Sequence, residues 1–437
     1  MGIKVVKFGG SSVADAIQLQ KVKDIVLSDD DRKYVVVSAP GKRYSDDSKI
    51  TDLLYLCKTH IDHNFTTDHV FQVISDRYRM MELNLKVDVG IDRDLEEIRR
   101  NLKPGMTADY IASRGEYLCG KLTAAFLGYD FVDPAGLIKF DERGRHLPAE
   151  TNIALSEELS KHERAVVPGF YGSGPDGQIV TFSRGGSDIT GSLVAKAVNA
   201  DLYENWTDVS GFLMADPRIV DEPKPITRIT YKELRELSYM GAGVLHEDAV
   251  FPVREVNIPI NIRNTNEPDS PGTIISDTPR EDSNVITGLA GRKDFAVISL
   301  YKNMMNAEVG FVKRLLSILE ANEVSFEHLP SGIDTICIVI SKSQLEGKLK
   351  DIMDDIERKL SPDSIEVYED MALIATVGLG MNRRLGVSAK LFTALTNAGV
   401  NIRMIDQGSS EMNIIVGVEN NQFENAIRAI YDAFVEK

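Results

Sequence analysis

Two segments in the C-terminal part of the chain are copies of one sequence unit, and this repeat constrains the fold more than any other feature. Residues 306–340 align without a gap on residues 382–416, so that Gly310 matches Gly386. Each copy has the pattern of an amphipathic helix followed by a strand, a turn and a second strand. With a strand-like segment before each copy, both copies become small βαββαβ modules. A single pair is too few for a solenoid, and paired modules after a larger region indicate a sensor attached to an enzyme.

The chain before the repeat alternates strand-like and helix-like segments. The apolar runs VVKF, YVVVSAP, AVVPGFYG and ADLYENWT read as strands, and the longer segments between them carry helical periodicity. This alternation is typical of an α/β domain with a mostly parallel sheet covered by helices on both faces. The polar, proline-rich stretch 264–284 is the best candidate for the boundary between this domain and the repeat.

Composition excludes several functional classes. The 437 residues include 66 acidic and 50 basic side chains, and the net charge of −16 argues against a nucleic-acid-binding or membrane-binding surface. The content of 43% hydrophobic and 27% charged residues is that of a globular protein. Three cysteines lie far apart without a CxxC pair, and no signal peptide or apolar span is visible. We therefore expect a cytoplasmic protein with reduced thiols.

Two Gly-Gly corners follow strand-like runs, and each has a basic residue close by. In KFGGSS, the backbone amides around Gly9 and Gly10 can point at phosphate oxygens while Lys7 adds a full charge, although a plain strand-to-helix turn has the same local pattern. In SRGGSD, Arg184 can hold a carboxylate, and Asp188 either caps the next helix or belongs to the site. Together the corners indicate phosphate at one and a carboxylate at the other.

Other polar candidates have a functional and a structural interpretation. Thr207 and Asp208 end a strand, where ligands bind in such sheets. Arg218 is either a phosphate or nucleobase contact or a solvated loop residue, and Glu116 is either an ammonium ligand or a solvated carboxylate.

Two further motifs are interpreted as structural. HIDHNFTTDH at 60–69 fits no metal-binding spacing and reads as a solvated surface, so no protein metal site is expected. The GxGxxG at 172–177 precedes a strand and reads as a hairpin loop rather than a dinucleotide site.

In order along the chain, these motifs resemble the aspartate kinase family in its monofunctional, lysine-sensitive form. KFGGSSVAD is similar to the family signature KFGGTSV, and SRGGSD, WTDVSGFLMADPR and YMGAGVLHEDAV are similar to its RGGSD, WTDVDG…DPR and FGAKVLHP blocks. GVNIRMIDQGSSEMNI resembles the second of the family's tandem ACT modules. The resemblance implies an amino-acid-kinase domain at 1–285, then two ferredoxin-like βαββαβ ACT domains at 293–370 and 371–437, one nested in the other.

The resemblance also implies a reaction. ATP with Mg²⁺ would phosphorylate the β-carboxylate of L-aspartate to 4-phospho-L-aspartate, the first step toward lysine, threonine and methionine. Because the acceptor is already an anion, alignment and charge neutralisation suffice without a general base. Lysine is the favoured feedback inhibitor, bound at an ACT interface, so a homodimer or tetramer assembled through the ACT domains is expected.

Site residues are carried over by motif position. Lys7 and Asp188 would be catalytic, with Lys7 neutralising the phosphoryl group and Asp188 organising Lys7 and the metal-nucleotide. The nucleotide site would comprise Lys7, Phe8, Gly9, Gly10, Ser11, Thr207, Asp208, Leu213, Arg218, Gly243 and Val244. The aspartate site would comprise Ser38, Thr51, Glu116, Arg184, Gly185, Gly186 and Ser187, with Arg184 on the α-carboxylate and Glu116 on the ammonium. The effector site would comprise Met305, Gly310, Phe311, Val312, Ser325, Phe326, Glu327, Ser331 and Asp334. Either Glu327 or Asp334 would pair with the ε-ammonium of lysine, unless both carboxylates are merely solvated.

Two positions depart from the family pattern. Gly243 stands where the family usually has lysine, and Leu213 stands where it has tyrosine. Either Arg218 or Arg254 compensates for the missing charge, or ATP binds more weakly. The alternatives to an aspartate kinase are another amino-acid kinase, such as an acetylglutamate or uridylate kinase, and a non-catalytic amino-acid sensor whose kinase half has decayed.

Overall fold

The computed structural model describes residues 2–183, 185–241, 247–278 and 285–435. These residues form two compact units, each of which collects more than one stretch of the chain. The first unit comprises Met1–Phe212, Pro225–Tyr231 and Val244–Arg280, and the second comprises Leu213–Lys224, Lys232–Gly243 and Glu281–Lys437. Two stretches that precede residue 264 therefore group with the C-terminal repeat.

Up to residue 276 the described strands are short and mostly buried. They are β1 (Lys4–Phe8), β2 (Arg32–Val37), β3 (Asp130–Phe131), β4 (Ala165–Pro168), β5 (Tyr171–Ser173), β6 (Ile179–Thr181), β7 (Leu202–Thr207), β8 (Phe212–Leu213), β9 (Pro225–Ile226), β10 (Arg228–Thr230), β11 (Ile260–Asn264) and β12 (Thr273–Ser276). Eight of these described strands form the sheet of the first unit in the order β10-β12-β11-β7-β1-β2-β4-β3. The neighbours β7, β1, β2 and β4 are parallel, as the alternating pattern predicts.

The helices of the same region separate these strands. They are α1 (Ala16–Leu27), α2 (Ile50–Asp62), α3 (Asp68–Leu85), α4 (Ile91–Asn101), α5 (Ala108–Leu127), α6 (Pro148–Leu159), α7 (Gly186–Ala197), α8 (Tyr231–Tyr239) and α9 (Glu247–Arg254). The long helix α5 begins where the Thr107 side chain accepts a hydrogen bond from the Tyr110 amide, and it ends at Gly128 with φ of 73°. Helices α1, α2, α3 and α5 contribute apolar faces to one buried cluster with β1 and β2.

The GxGxxG segment lies in a hairpin, as predicted. Strands β5 and β6 pair in antiparallel fashion, and Gly177 in the turn has φ of 79°. Glycine adopts this conformation without strain, so the third glycine of the motif serves the turn.

The C-terminal repeat forms a second sheet. Its strands are β13 (Gly288–Tyr301), β14 (Thr335–Ser341), β15 (Ser364–Val377), β16 (Met404–Asp406) and β17 (Asn413–Glu419). Its helices are α10 (Phe311–Ala321), α11 (Lys342–Leu345), α12 (Leu349–Leu360), α13 (Val387–Asn397) and α14 (Phe423–Phe434). The described strands pair in antiparallel fashion in the order β14-β13-β15-β17-β16.

The two repeat copies have equivalent structures. Gly310 and Gly386 precede α10 and α13 with φ of 83° and 84°, a left-handed conformation that favours glycine. Residues 288–292 of β13 pair with the end of β15, in the half of the sheet that belongs to the second copy. They complete that copy although they precede the first copy in the chain.

In the residues that the structure describes, no helix combines the length and the apolar character needed to cross a membrane.

Candidate active site

Several of the predicted site residues lie at one edge of the sheet of the first unit. Phe8, Val37, Pro168 and Trp206 are register partners across β1, β2, β4 and β7. Because these strands are parallel, the residues that follow each of them lie at the same carboxyl edge, where ligands bind in open α/β sheets. The Gly9-Gly10 corner, Ser38 and Thr207 are thereby brought together, as the sequence predicts.

Lys7 and Asp188 form a nearly buried ion pair at this edge. The Lys7 ammonium contacts Oδ1 of Asp188, and the two side chains are 9% and 18% exposed. The same Oδ1 accepts a hydrogen bond of 2.9 Å from Nδ2 of Asn205, which is the register partner of Lys7 on β7. Asp188 therefore fixes the ammonium of Lys7 at the ends of β1 and β7.

The Gly-Gly corner approaches the loop after β2 very closely. The Gly9 amide donates to the Trp206 carbonyl at 3.0 Å, and Gly10–Val13 form a short 3-10 turn before α1. A Cβ atom on Gly10 would lie 3.0 Å from the Ala39 carbonyl oxygen, and one on Gly41 would lie 2.7 Å from the Gly10 carbonyl carbon. Both positions need glycine because no side-chain carbon fits between the two backbones.

The second Gly-Gly corner opens helix α7. Arg184 lies outside the described residues, and Gly185 precedes the helix with φ of 59°. No side chain caps the described end of this helix, so the interpretation of Asp188 as a cap is wrong: its carboxylate pairs with Lys7 instead. A Cβ on Gly186 would lie 2.5 Å from the Phe170 ring, so this glycine also permits close packing.

The loop after β2 connects the Gly9-Gly10 corner to helix α2. The Ser38 amide donates to the Phe8 carbonyl at 3.2 Å, and the Gly41 amide donates to the Gly10 carbonyl at 2.8 Å. The Ile50 amide at the start of α2 donates to the Pro40 carbonyl at 3.1 Å, and Thr51 follows directly. Ser187 of the second corner packs against the end of β4, since a Cβ on Gly169 would lie 2.7 Å from its Cα.

Glu116 is buried rather than solvated, which excludes the structural interpretation of this residue. It lies in α5 beside Gly115, where a Cβ would lie 2.8 Å from Cβ of Ala39. Burial raises the pKa of Glu116 to about 8, against the opposing effects of the Ala39 amide and of Arg114. Within the described residues, its Oε2 accepts no hydrogen bond. A buried acceptor without a donor is the arrangement expected of a group that binds a ligand's N–H.

The remaining nucleotide candidates are divided between the two units. Thr207 ends β7 and Asp208 follows it in the first unit, and the Thr207 hydroxyl donates to Asp208 at 3.1 Å. Leu213 and Arg218 belong to the second unit, and Arg218 is 88% exposed and makes a bidentate ion pair with Asp216. Gly243 and Val244 lie outside the described residues.

Both arginines considered as replacements for the missing lysine have partners. Arg218 is held by Asp216, and Nε of Arg254 lies 4.0 Å from Asp277. The guanidinium of Arg254 also lies 5.7 Å from the centre of the Tyr231 ring.

The predicted effector residues differ in accessibility. Met305 and Phe311 are buried in the core of the first repeat module, whereas Val312 and Phe326 are exposed. Ser325 bonds to the Gln344 side chain, Ser331 lies in a β-bridge with Ile336, the Asp334 carbonyl accepts from the Lys302 amide, and Gly310 begins α10.

Glu327 has a partner that the sequence does not reveal. Its carboxylate accepts a hydrogen bond from the Tyr239 hydroxyl, and its other oxygen lies 4.0 Å from Arg292. Tyr239 ends α8, and both residues belong to the second unit. The carboxylate considered as a lysine ligand is therefore already engaged.

Sequence reasoning missed Asn205 and the loop Ala39–Gly41. Asn205 stands two residues before Thr207 on the same strand, so strand alternation places both on one face and gives a signal for it. Gly41 gives no comparable signal, because only the fold shows its contact with Gly10.

Comparisons with known proteins first define the class. The model of the amino acid kinase family matches residues 2–264, and a model of an ACT domain matches residues 374–434. The expected fold class is therefore confirmed: an amino-acid-kinase α/β domain is followed by ACT-type modules.

Two relatives that match along nearly the whole chain define the family more specifically. The chain is 38% identical to aspartokinase 3 of Bacillus subtilis, over 99% of this chain and 98% of the relative. Its sequence is 53% identical to that of Clostridium acetobutylicum aspartate kinase, an allosteric enzyme with a known crystal structure. The two structures superpose with a TM-score of 0.93 and full coverage of both chains. The chain belongs to the aspartokinase family, which makes it an enzyme that phosphorylates aspartate and carries ACT regulatory domains.

Escherichia coli aspartokinase III is a more distant relative. Its complex with aspartate and ADP (R-state) is 25% identical with a TM-score of 0.74, and its complex with lysine and aspartate (T-state) is 26% identical with a TM-score of 0.75. Both alignments cover 99% of this chain and at least 99% of the Escherichia coli chain. Since the relatives along the whole chain are aspartokinases, the acetylglutamate and uridylate kinase alternatives are not supported.

Proposed function

We propose that the protein transfers the γ-phosphoryl group of ATP to the β-carboxylate of L-aspartate, giving 4-phospho-L-aspartate. This is the first step toward lysine, threonine and methionine. The observation that carries the proposal is the Lys7–Asp188 pair beside the Gly9-Gly10 corner, at the edge of the sheet that also holds the loop after β2. The aspartate and ADP bound in Escherichia coli aspartokinase III support the same pair of ligands here.

In this proposal, the residues around the Gly9-Gly10 corner bind and neutralise the phosphate groups of ATP. The ammonium of Lys7 neutralises the transferring phosphoryl group, and the amides of Gly10 and Ser11, which follow Phe8 and Gly9, hold phosphate oxygens. The Gly9 amide, which the sequence also assigned to phosphate, is engaged by the Trp206 carbonyl. Asp188 and Asn205 hold Lys7 in place. The acceptor is an anion at neutral pH, so the protein contributes alignment and charge neutralisation rather than a general base.

Glu116 is the residue that recognises the substrate ammonium. Its unpartnered Oε2 gains the charge-assisted hydrogen bond that burial otherwise denies it. Arg184 takes the α-carboxylate, and Ser38, Thr51 and the segment Gly185–Ser187 complete the aspartate pocket.

Thr207 and Asp208 of the first unit also belong to the nucleotide site. The assignment of Leu213, Arg218, Gly243 and Val244 to nucleotide binding rests on their motif positions alone. Magnesium enters with the nucleotide. In the part of the chain that the structure describes, no group of three or more His, Cys, Asp or Glu side chains converges to hold a metal. A Mg²⁺ ion that keeps its waters and binds mostly phosphate oxygens needs only one or two carboxylates from a protein, which Asp188 and Asp208 offer.

Feedback inhibition by lysine acts through the ACT domains, at 293–370 and 371–437 after a catalytic domain at 1–285. The lysine complex of Escherichia coli aspartokinase III supports this effector. Glu327 is the acidic partner for the lysine side chain, and binding then requires that the ε-ammonium displace the Tyr239 hydroxyl. The assembly is a homodimer or tetramer formed through the ACT domains.

A hydroxylamine trap tests the proposal. Purified protein is incubated with ATP, Mg²⁺ and L-aspartate, and the hydroxamate formed from the acyl phosphate is measured with and without lysine, threonine or methionine. The expected product depends on both ATP and L-aspartate and is lost in the D188N variant. If lysine does not reduce the amount of hydroxamate formed, only the assignment of lysine as the effector is refuted. A folded protein that binds lysine but forms no hydroxamate refutes the reaction.

A further inference from the structure

Helix α3 carries a buried arginine that none of the predicted site residues includes. Arg77 is 6% exposed and its guanidinium donates to three backbone carbonyls. Nη2 donates to Ala14 at 2.9 Å and also to Gly41, and Nη1 donates to Ser48 at 3.0 Å. All four residues belong to the first unit.

Each of these carbonyls belongs to a segment that carries a residue of the site. Ala14 ends the short turn that follows the Gly9-Gly10 corner. Gly41 is the loop glycine that packs on Gly10 and donates to its carbonyl at 2.8 Å. Ser48 stands two residues before Ile50, where the helix that carries Thr51 begins. One rigid guanidinium thus joins the proposed phosphate corner to the proposed aspartate side.

The next residue of α3 extends the same contact. The Tyr78 hydroxyl donates to the Gly115 carbonyl at 2.7 Å, and Gly115 adjoins Glu116 in α5. Two successive residues of one helix therefore hold three segments of the site and the backbone beside the Glu116 carboxyl group.

The environment of Arg77 is costly for a residue that only stabilises the fold. Its closest carboxylate, that of Asp47, lies 3.5 Å from Nη1 and is itself paired with Arg43 at 2.7 and 3.0 Å. Nε of Arg77 is buried and has no hydrogen-bond partner among the described residues, and burial lowers the pKa of Arg77. A buried cation without a dedicated carboxylate is costly to desolvate, so the hydrogen bonds to the three carbonyls must offset that cost.

We propose that Arg77 is a positioning residue for phosphoryl transfer, and this inference rests on the proposed function of the two sides that it joins. The planar guanidinium group of Arg77 sets the distance between the Gly9-Gly10 corner, which binds phosphate in the proposal, and the start of α2, which carries Thr51 of the proposed aspartate site. Phosphoryl transfer needs the attacking oxygen in line with the leaving group, and a misplacement of about 1 Å costs roughly 10²-fold in rate. A lysine at this position keeps the charge but has one nitrogen, which does not reach carbonyls of three separate segments.

The experiment compares R77K with R79K in the intact protein. Arg79 lies on the same helix but is exposed, with its Nε 2.6 Å from Asp92, so R79K is a matched control that leaves the rate unchanged. We measure kcat, the KM of ATP and the KM of L-aspartate by hydroxamate formation, well below the melting temperature of each variant. R77K should lose roughly 10²-fold in kcat, with both KM values within about threefold of the wild type.

The outcomes separate the inference from the proposed function. R77K with wild-type kcat and only a lower melting temperature shows a purely structural residue and refutes the inference. An inactive wild-type protein refutes the proposed function first. If R77K does not fold, R77M tests the same residue, because methionine keeps most of the side-chain volume and lacks the guanidinium group. Full activity of R77M also refutes the inference, and a selective loss of kcat supports it.

Discussion

The buried carboxyl group of Glu116 makes aspartate binding depend on pH. Burial raises its pKa from the usual 4.5 to about 8. Only the ionised carboxylate pairs with the substrate ammonium, and near pH 7 only about one tenth of the ligand-free protein carries that charge. The apparent KM of aspartate should therefore fall by roughly tenfold or more between about pH 6 and about pH 8, while the KM of ATP stays nearly constant.

The same shift has a consequence for stability. Between about pH 4.5 and about pH 8 the folded protein keeps the proton on Glu116 and the unfolded chain loses it. The folded state therefore binds more protons in this window, and the free energy of unfolding of the ligand-free protein decreases as pH rises through it. The upper limit of this loss is about 5 kcal/mol, because one pKa unit corresponds to about 1.4 kcal/mol.

The E116Q variant separates the two effects. Removing the charge should raise the KM of aspartate by about 10- to 100-fold above pH 8, the range expected for a hydrogen bond to a charged group. It should also remove this part of the pH dependence of unfolding. The control is E96Q, which removes an exposed carboxylate paired with Arg100 at 3.3 Å. Chemical unfolding and steady-state kinetics at several pH values give both results. A wild-type KM that is flat from pH 6 to pH 8, or an unchanged KM in E116Q, would refute the assignment.

Four other substitutions test separate parts of the structure. K7M should lower kcat by about 10²- to 10³-fold, the usual effect of losing a group that stabilises developing charge, and a smaller loss in the hydroxamate assay would contradict the role of Lys7. N205A should lower kcat by about tenfold because Asp188 loses a hydrogen bond, and an unchanged kcat in the hydroxamate assay would contradict the role of Asn205. Y239F should lower the inhibition constant of lysine by about tenfold because Glu327 no longer has the hydroxyl as a competing donor; an unchanged constant in a lysine titration argues against Glu327 as a ligand. G386A should cost about 1–2 kcal/mol in chemical unfolding because φ is 84° and no atom lies near the added Cβ, so an unaltered stability would contradict the strain argument.

Local patterns in the sequence predict most of the fold. Strand and helix periodicity predicts the parallel neighbours β1, β2, β4 and β7, and the aligned Gly310 and Gly386 predict two equivalent helix starts. These features depend on residues that are close in the chain. The grouping of residues 213–224 and 232–243 with the C-terminal repeat was not predicted, because no boundary signal surrounds either stretch.

The site is only partly predictable for the same reason. Lys7 and Asp188 stand in glycine-rich motifs, and the resemblance of these motifs to the aspartate kinase family, rather than the glycines themselves, assigns both residues to the site. Arg77 and Tyr239 lie in ordinary amphipathic helices, and their contacts join segments distant in the chain. The sequence also leaves open whether Glu116 is buried, a property that depends on the packing of Gly115 against Ala39.

The most direct test of the central claim follows the acceptor atom. L-aspartate labelled with heavy oxygen in the β-carboxylate is incubated with the protein, ATP and Mg²⁺, and the phosphorus NMR spectrum of the acyl phosphate is recorded before hydrolysis. The proposed reaction predicts a labelled oxygen in the bridge between carbon and phosphorus, visible as an isotope shift of the product resonance. Release of inorganic phosphate without any labelled acyl phosphate would contradict the claim, because water rather than the aspartate carboxylate would then be the acceptor.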